Sequence, residues 1–193
     1  MIGDGFFLVN QPEYPITDTS VLLAHGAGAP MDSGFMNVIA EGICDGGITV
    51  RRFEFPYMQE RRVSGKRKFP DCGAVLEERF ICAIEETGGA ENCVIGGKSL
   101  GGRIASQLAT RMPVKGLVCL GFPFHPPGNP EKLRMAHFSD INVPNLLLQG
   151  ERDRFGTKDQ VASYNLPDKI NINWLEAGDH DFKCTKRSGF SQK

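Results

Sequence analysis

The sequence has no long hydrophobic run and no paired cysteine motif. None of the apolar stretches in its 193 residues approaches the roughly 20 residues of a membrane-spanning helix. The N-terminal segment MIGDGFFLVNQPEY lacks the basic start and long apolar stretch of a secretory signal peptide. The six cysteines stand at positions 44, 72, 82, 93, 119 and 184, without C-x-x-C spacing. We therefore expect a cytoplasmic protein with reduced thiols, no membrane association, no disulfide framework and no metal site.

The chain also lacks an excess of either charge. Its 22 lysine and arginine residues nearly balance 23 aspartate and glutamate residues, which gives a net charge of −1. Nucleic-acid binders normally carry a basic excess or aromatic residues interleaved with basic ones, and this sequence shows neither. Apolar residues make up 40% of the chain, as in ordinary globular proteins. We predict a single domain that covers residues 1–193 and does not bind nucleic acid.

The most informative stretch is CVIGGKSLGGRIASQLATR, which spans residues 93–111. It predicts a short strand, a glycine-rich turn and a helix, and the turn contains GKSLG, a match to G-x-S-x-G. In that nucleophile elbow Ser99 must occupy a strained turn that exposes its hydroxyl, and Gly97 and Gly101 lack the Cβ atoms that would collide there. A phosphate-binding loop, G-x-x-x-x-G-K-[ST], would instead need glycine where Asn92 stands. The pattern therefore predicts Ser99 as a nucleophile.

Strand and helix patterns alternate along the rest of the chain. Besides the elbow strand, buried strands are predicted at residues 21–24, 49–55, 116–121, 145–149 and 170–175, with a weaker strand around residues 6–9. Helices are predicted from Asp32 or Ser33 to Ile43 and at residues 72–87, 131–138 and 157–164, with a loop at residues 57–70. This order predicts an α/β fold with a mostly parallel sheet of about six to seven strands and helices on both faces.

A serine nucleophile needs a general base and an acid that orients the base. With this type of elbow they follow in the order serine, aspartate or glutamate, histidine, on loops after later strands. Asp153 and His180 follow the last two predicted strands, at the carboxyl edge of the sheet where the elbow also ends. We predict that His180 takes the proton from Ser99 and that Asp153 orients the imidazole. Glu151 is the alternative acid.

The anionic intermediate of such a reaction needs backbone N–H donors. The candidates are Leu100, directly after the nucleophile, and Gly26 or Ala27 in the segment HGAGAP that follows the first buried strand. His25 begins the same segment. Its side chain has two interpretations, a brace that holds this loop or a substrate-binding residue, and the brace is the favoured one.

A basic cluster follows the second buried strand. It comprises Arg61, Arg62, Lys66, Arg67 and Lys68. The cluster is either a solvated loop or a group that attracts an anionic substrate, since the loop starts at the catalytic edge of the sheet. Arg61 and Arg62 are therefore candidate substrate-binding residues.

The segment between residues 121 and 144 is too short for a lid domain. This predicts an open site that suits small soluble esters or thioesters better than long lipids. The first part of the segment, FPFHPPGNP, supplies Phe122 and His125 as candidates for the acyl side of the site. Ordinary loop packing is the alternative interpretation of both residues.

The segments HGAGAPMDSGFM, RFEFPYM, RRVSGKRKFPD, GGKSLGGRIAS, GFPFHPPG, QGERDRFGT and WLEAGDHDFK together resemble the small lid-less α/β-hydrolase family. Its relatives include the dienelactone-hydrolase-like clan and the testis-expressed and non-specific-lethal-complex hydrolase-like proteins. The resemblance covers nearly the whole chain and implies an α/β-hydrolase fold with Ser99, Asp153 and His180 as the triad and residues 26–28 as oxyanion support. It implies no substrate.

Three functions remain open at this point. The first is hydrolysis of a small ester or thioester through an acyl-enzyme on Ser99, without metal or organic cofactor. The second is an interaction subunit with an idle triad, because some relatives serve in complexes without clear catalysis. The third is an acyltransferase or perhydrolase that uses the same triad with an acceptor other than water.

The resemblance weakens at the C-terminal end. A final helix normally follows the histidine loop in this fold, but only DFKCTKRSGFSQK, residues 181–193, remains here. That segment is too short and polar for a full helix, so we expect the helix to be short or missing. We also expect a second copy of the chain to cover the exposed sheet face, which predicts a homodimer.

Overall fold

The computed structural model describes residues 7–185 and 188–189 and places seven strands in one sheet. The strands are β1 (Leu8–Asn10), β2 (Ser20–Ala24), β3 (Val50–Phe53), β4 (Cys93–Lys98), β5 (Gly116–Leu120), β6 (Asn145–Gly150) and β7 (Ile172–Leu175). Their order across the sheet is β1-β3-β2-β4-β5-β6-β7. Every neighbouring pair is parallel except β1 and β3. The predicted mostly parallel sheet is confirmed.

Helices cover both faces of this sheet. They are α1 (Gly34–Asp45), α2 (Pro56–Ser64), α3 (Gly73–Glu86), α4 (Leu100–Leu108) and α5 (Lys158–Ala162). Side chains of β2 alternate between the faces, because Leu22 lies in the larger core with residues of α3 and α4, whereas Leu23 lies in the smaller core with Met36 and Ala40 of α1. Since β2 is buried on both faces, its sequence is a continuous apolar run.

Residues 57–70, predicted as a loop, contain most of helix α2 instead. Proline suits the first helical position, Pro56, because its missing N–H needs no partner there. Gly65 follows the helix in the left-handed conformation, with a φ of 66°. Only Tyr57 and Met58 of this helix are buried. The loop prediction was therefore wrong because the helix has too few apolar positions to produce a periodic pattern.

No α-helix forms at residues 131–138, where one was predicted and all of which the structure describes. The segment forms turns, followed by a short 3-10 helix at Phe138–Asp140. The Arg134 N–H donates to the carbonyl of Phe124 at 2.8 Å, across a loop rather than along a helix. Phe138 is buried while Leu133 is 41% exposed, so the apolar residues share no helical face. The apparent helical spacing of this segment was misleading.

The segment from residue 121 to residue 144 contains that 3-10 helix and no lid domain. After β7 the described residues form no further helix, as expected. Within the C-terminal segment 181–193, residues 186–187 and 190–193 lie outside the described residues. None of the helices in the described ranges is long and apolar enough to cross a membrane.

The order of the strands reverses at β2. The chain passes from β2 to β3 on one side and then to β4 on the other side. The loops after β2 and β4 therefore flank a crevice at the carboxyl ends of the strands, which is where open α/β sheets bind ligands. The elbow serine, Ser99, lies directly after β4 at this crevice.

Candidate active site

The backbone at Ser99 adopts the strained turn that the elbow motif requires. Its φ of 49° and ψ of −106° are rare for a residue with a side chain, and β4 ends directly before it while α4 begins directly after it. A Cβ at Gly97 or Gly101 would lie 2.3 or 2.4 Å from the Ala24 carbonyl oxygen. A side chain at either position would push the elbow away from β2. The Ser99 N–H donates to the Leu120 carbonyl at 3.0 Å, which holds the turn against β5.

Asp153 and His180 form a hydrogen-bonded pair on neighbouring loops. The Nδ1 of His180 donates to Oδ2 of Asp153 at 2.7 Å, and the Asp153 carboxylate is fully buried. Two further donors hold this carboxylate: Gln149 Nε2 at 3.0 Å and the Phe155 N–H at 2.9 Å. The carboxylate therefore fixes both the orientation and the tautomer of the imidazole, which leaves Nε2 for proton transfer.

Ser99 and His180 line one cleft, which we call the catalytic cleft, with a volume of about 380 Å³. The ring of Phe155 packs against the imidazole with ring centres 4.4 Å apart. Ser99 and His180 both lie in the described part of the chain, and no hydrogen bond joins the Ser99 hydroxyl to the His180 imidazole. Such bonds are often long or poorly aligned before substrate binds, so their absence does not exclude proton transfer between the two side chains.

The loop after β2 presents its backbone to the catalytic cleft. Gly26 and Ala27 both line this cleft. The Gly26 carbonyl accepts from His25 Nδ1 at 2.7 Å and from the Tyr57 hydroxyl at 3.3 Å, so it points away from the cleft into the interior. In a trans peptide the following N–H points the opposite way, so the Ala27 N–H faces the cleft. Leu100 is the first residue of α4, and its N–H has no acceptor within the helix.

A family model described as an alpha/beta hydrolase domain matches residues 17–193, which is most of the chain. The matched range contains the elbow, the loop after β2 and the loops that carry Asp153 and His180. The chain belongs to the alpha/beta hydrolase domain family. The predicted family resemblance and fold class are therefore confirmed.

Solved structures share this fold at low sequence identity. An alpha-beta serine hydrolase homologue from Coxiella burnetii superposes with a TM-score of 0.73 at 17% identity, over 93% of this chain and 86% of that chain. XC6422 from Xanthomonas campestris, an a/b serine hydrolase without lid, superposes with a TM-score of 0.66 at 21% identity, over 91% of this chain and 80% of that chain. Dienelactone hydrolase from Anabaena variabilis superposes with a TM-score of 0.65 at 20% identity, over 88% of this chain and 80% of that chain. Kinship with testis-expressed and non-specific-lethal-complex proteins stays a prediction.

In this alpha/beta hydrolase domain the residue before the elbow serine is a buried lysine. The Nζ of Lys98 donates to the carbonyl of His180 and lies 3.5 Å from Asp181 Oδ1. The rings of Phe35 and Phe182 flank the ammonium, with centres 4.9 and 5.5 Å away. Burial lowers the pKa of Lys98, and the nearby Asp181 carboxylate opposes that shift. Lys98 therefore ties the end of β4 to the loop that carries His180.

Three candidate substrate-binding residues lie in the interior and do not line the catalytic cleft. The exposed fractions are 0% for His25, 0% for Phe122 and 3% for His125. The Nε2 of His25 accepts from the Phe55 N–H at 3.2 Å, so His25 is the brace of its loop. Phe122 packs edge-on against Phe124, with ring centres 5.1 Å apart. The burial of these side chains favours the brace interpretation for His25 and ordinary loop packing for Phe122 and His125.

The two candidate arginines have different environments. Arg62 donates to Asp32 Oδ1 at 2.8 Å and to Glu54 Oε1 at 2.6 Å. These bonds raise the pKa of Arg62 and neutralise its charge within the protein. Arg61 instead donates to the carbonyl of Gly28 at 3.0 Å and lines a second cavity beside the catalytic cleft. Arg62 therefore connects α2 to Asp32, which precedes α1, and to Glu54, which follows β3. Arg61 instead faces solvent-accessible space.

Glu151, the alternative acid, does not contact His180. Its carboxylate accepts from Lys158 Nζ at 2.7 Å and from the Ala177 N–H at 3.2 Å. It therefore joins the start of α5 to the histidine loop as a structural group. Across the described ranges, no group of three histidine, cysteine or carboxylate side chains is placed to hold a metal ion.

Sequence reasoning assigned no role to three residues that shape the site: Lys98, Tyr57 and Gln149. Gln149 is fully buried and bridges the Asp153 carboxylate to both backbone groups of Phe122. The available signal was position, since Lys98 adjoins Ser99 and Gln149 directly follows the leucine run of β6. A polar residue in a buried strand needs a hydrogen-bond partner, and here that partner is the Asp153 carboxylate.

Proposed function

We propose that the chain is a serine hydrolase of small esters or thioesters that works through an acyl-enzyme on Ser99. One observation carries the proposal: the strained elbow of Ser99 lines the same cleft as His180, whose Nδ1 is held at 2.7 Å by a fully buried Asp153. A carboxylate buried with its imidazole partner is the arrangement that general-base activation of a serine needs.

The chemistry has two half-reactions. Ser99 Oγ attacks the substrate carbonyl carbon while His180 Nε2 accepts the hydroxyl proton, and the N–H groups of Leu100 and Ala27 hold the oxyanion. As the tetrahedral intermediate collapses, the bond to the leaving oxygen or sulfur breaks and His180 returns the proton to it. Water then attacks the acyl-enzyme by the same route and releases the acid and Ser99. Asp153 stabilises the imidazolium in both steps.

The shape of the site supports a small substrate. The catalytic cleft is open, about 380 Å³ in volume, and the segment between β5 and β6 adds no lid above it. Esterases and thioesterases share this chemistry, and an acyl acceptor other than water would use the same residues. The basic residues near the cleft favour an anionic substrate.

The proposal is tested by labelling the purified protein with a fluorophosphonate, which phosphonylates activated serines. We expect wild type to be labelled and Ser99→Ala and His180→Ala not to be labelled, because one loses the nucleophile and the other the base. A matched control is Ser106→Ala, since Ser106 is a buried serine of α4 outside the catalytic cleft. Labelling that survives in Ser99→Ala would contradict the assignment of the nucleophile.

One observation favours a second candidate function. Ser99 and His180 lie in the described part of the chain and are not hydrogen-bonded to each other. A hydrolase-fold interaction subunit with an idle triad would show the same absence. An idle triad predicts a folded wild-type protein that the fluorophosphonate does not label. That result would replace the enzymatic proposal and would direct attention to protein partners.

We also propose a homodimer and a cytoplasmic location. Strand β7 pairs only with β6 within the described sheet, and its Ile172, Trp174 and Leu175 are partly exposed. An open edge strand is a template for pairing with a second chain. All six cysteines are free, which supports a reducing compartment. Fluorescence microscopy of the tagged chain tests the cytoplasmic location, and fluorescence found outside the cells would contradict this proposal.

A further inference from the structure

A second cavity adjoins the catalytic cleft across the loop after β2. We call it the basic cavity, and it has a volume of about 440 Å³. Ala27 and Gly28 form its boundary with the catalytic cleft, because they line both spaces. Its remaining lining residues are Arg61, Arg67, Lys68, Phe69 and Pro70. A ligand that reacts at Ser99 and extends past Ala27 therefore enters a space bordered by cations.

The charges around the basic cavity are not all neutralised. Lys68 pairs with Glu60 at 2.5 Å. Arg61 and Arg67 form no ion pair with any carboxylate among the described residues, whereas the neighbouring Arg62 has two such partners. Arg61 is also fixed in place, since its bond to the Gly28 carbonyl holds the guanidinium at the boundary of the two spaces. Two guanidinium groups thus face the cavity without an internal counter-ion.

The apolar part of the basic cavity lies beside these cations. Phe69 is 79% exposed, which is unusual for a large aromatic residue, and Arg67 lies over its ring at 5.6 Å from the centre. Pro70 continues this apolar wall. The lining therefore suits a short aliphatic chain that ends in an anion, because the chain packs on the ring and the anion meets the guanidinium groups.

The position of His180 indicates which part of an ester, the acyl part or the alcohol part, extends into the basic cavity. The leaving oxygen must lie beside His180, which lines the catalytic cleft together with Arg154 and Phe155. The basic cavity includes none of these residues and begins at Ala27, on the side of the proposed oxyanion donors. The arm that extends into the basic cavity is therefore the acyl arm, which stays on Ser99 after the alcohol has left.

We infer that the basic cavity binds the anionic end of the acyl group, so that the preferred substrates are esters or thioesters of short acids with a terminal carboxylate or phosphate. This inference rests on the proposed function and specifies its substrate class. Both anions fit the same guanidinium pair, since each accepts bidentate hydrogen bonds from arginine.

The test compares two esters with acyl chains of equal length, p-nitrophenyl pentanoate and the mono-p-nitrophenyl ester of glutaric acid. At low ionic strength we expect kcat/KM for the glutarate ester to exceed that for the pentanoate by about tenfold, which salt then reduces. In Arg67→Gln the ratio between the two esters should fall toward one. The matched control is Lys66→Gln, which removes an exposed charge of the same cluster that does not line the cavity.

Further arms of the test separate the alternatives. An ester with a terminal phosphonate in place of the carboxylate ranks the two anions, and a preference for either one supports the inference. A preference seen only when the carboxylate is on the alcohol side, as in acetoxybenzoate compared with m-tolyl acetate, would overturn the acyl-side assignment. Equal rates on the pentanoate and glutarate esters would overturn the inference while leaving the proposed function intact.

Failure of the proposed function gives a different result. If folded wild type hydrolyses neither ester, binding to Ser99→Ala still tests the cavity, with monoethyl glutarate and ethyl pentanoate as probes in NMR titrations. Tighter binding of monoethyl glutarate that is lost in the double variant with Arg67→Gln supports the basic cavity as an anion site. Equal binding of the two probes would overturn it.

Discussion

At the scale of single residues, two histidines that follow the ends of strands β2 and β7 serve different purposes because their surroundings differ. His180 is partly exposed at the catalytic cleft and paired with Asp153. His25 is fully buried, with its Nδ1 bonded to the Gly26 carbonyl and its Nε2 to the Phe55 N–H. Since Nε2 accepts a hydrogen bond there, His25 must be neutral, and burial lowers its pKa from the ordinary 6.5.

This environment predicts a loss of stability in mild acid. A histidine whose pKa is lowered by folding contributes stability that is fully present above the unfolded pKa of 6.5 and is lost as pH falls through the folded pKa. We therefore expect the melting temperature to be constant above about pH 7 and to fall between about pH 6.5 and 5, before the carboxylates titrate. Calorimetry across this range measures the slope.

The variant His25→Gln identifies the group responsible for that slope. It should melt at a lower temperature at neutral pH, with a loss of about 1–3 kcal/mol from the disturbed hydrogen bonds. Its melting temperature should also depend less on pH between 6.5 and 5. Some dependence remains, because burial lowers the pKa of His137 as well. An unchanged slope in His25→Gln would show that another group controls acid stability.

At the scale of elements, the loop between β7 and residue 185 depends on a contact with the elbow. Two of its residues, Ala177 and Phe182, have positive φ values of 53° and 62°, which cost energy for residues other than glycine. The surrounding structure must hold such a loop in place. Lys98 does so from the end of β4, through the His180 carbonyl and through its position between the rings of Phe35 and Phe182.

We therefore predict that Lys98→Met lowers kcat on a neutral ester by about tenfold or more, because misplacement of a catalytic group by a fraction of an ångström is costly. KM should change less, and methionine keeps most of the apolar contacts of the lysine stem. Steady-state kinetics with a pH profile measures the effect. Lys115→Met, which changes an exposed lysine before β5, is the matched control. A variant that loses melting temperature but keeps kcat would show a purely structural role.

At the scale of the whole molecule, the strand order leaves β7 at one end of the sheet. Its edge has no strand partner within the described sheet, and Leu146 on the neighbouring β6 is 40% exposed. Pairing of two such edges would satisfy backbone groups and bury these apolar side chains together. The crevice at the switch point, between β2 and β4, is separated from this edge by β5 and β6 and would stay open to substrate.

This arrangement predicts a dimer in solution. Light scattering at micromolar concentration should give a mass of twice the 21.2 kDa of one chain. Replacement of Trp174 by lysine places a charge at the β7 edge and should shift the mass toward that of the monomer. A monomeric mass for wild type at this concentration would contradict the prediction.

The features that could be predicted from the sequence are those that follow from local rules. The elbow needed glycine at positions 97 and 101, buried strands showed as apolar runs, and the candidate aspartate and histidine followed strand ends in a parallel sheet. Helix α2 escaped prediction because only two of its side chains are buried, and residues 131–138 mimicked a helical period without a helical surface to pack on.

Residues of similar chemistry could be distinguished only by their neighbours in the folded chain. Asp153 meets His180, whereas Glu151 accepts hydrogen bonds from Lys158 and the Ala177 N–H. Arg61 rather than Arg62 faces open space because Asp32 and Glu54 neutralise Arg62. Such choices depend on which groups approach within a few ångströms from distant parts of the chain. A linear pattern contains the candidates, but their charges and hydrogen bonds are settled only when the fold brings their partners together.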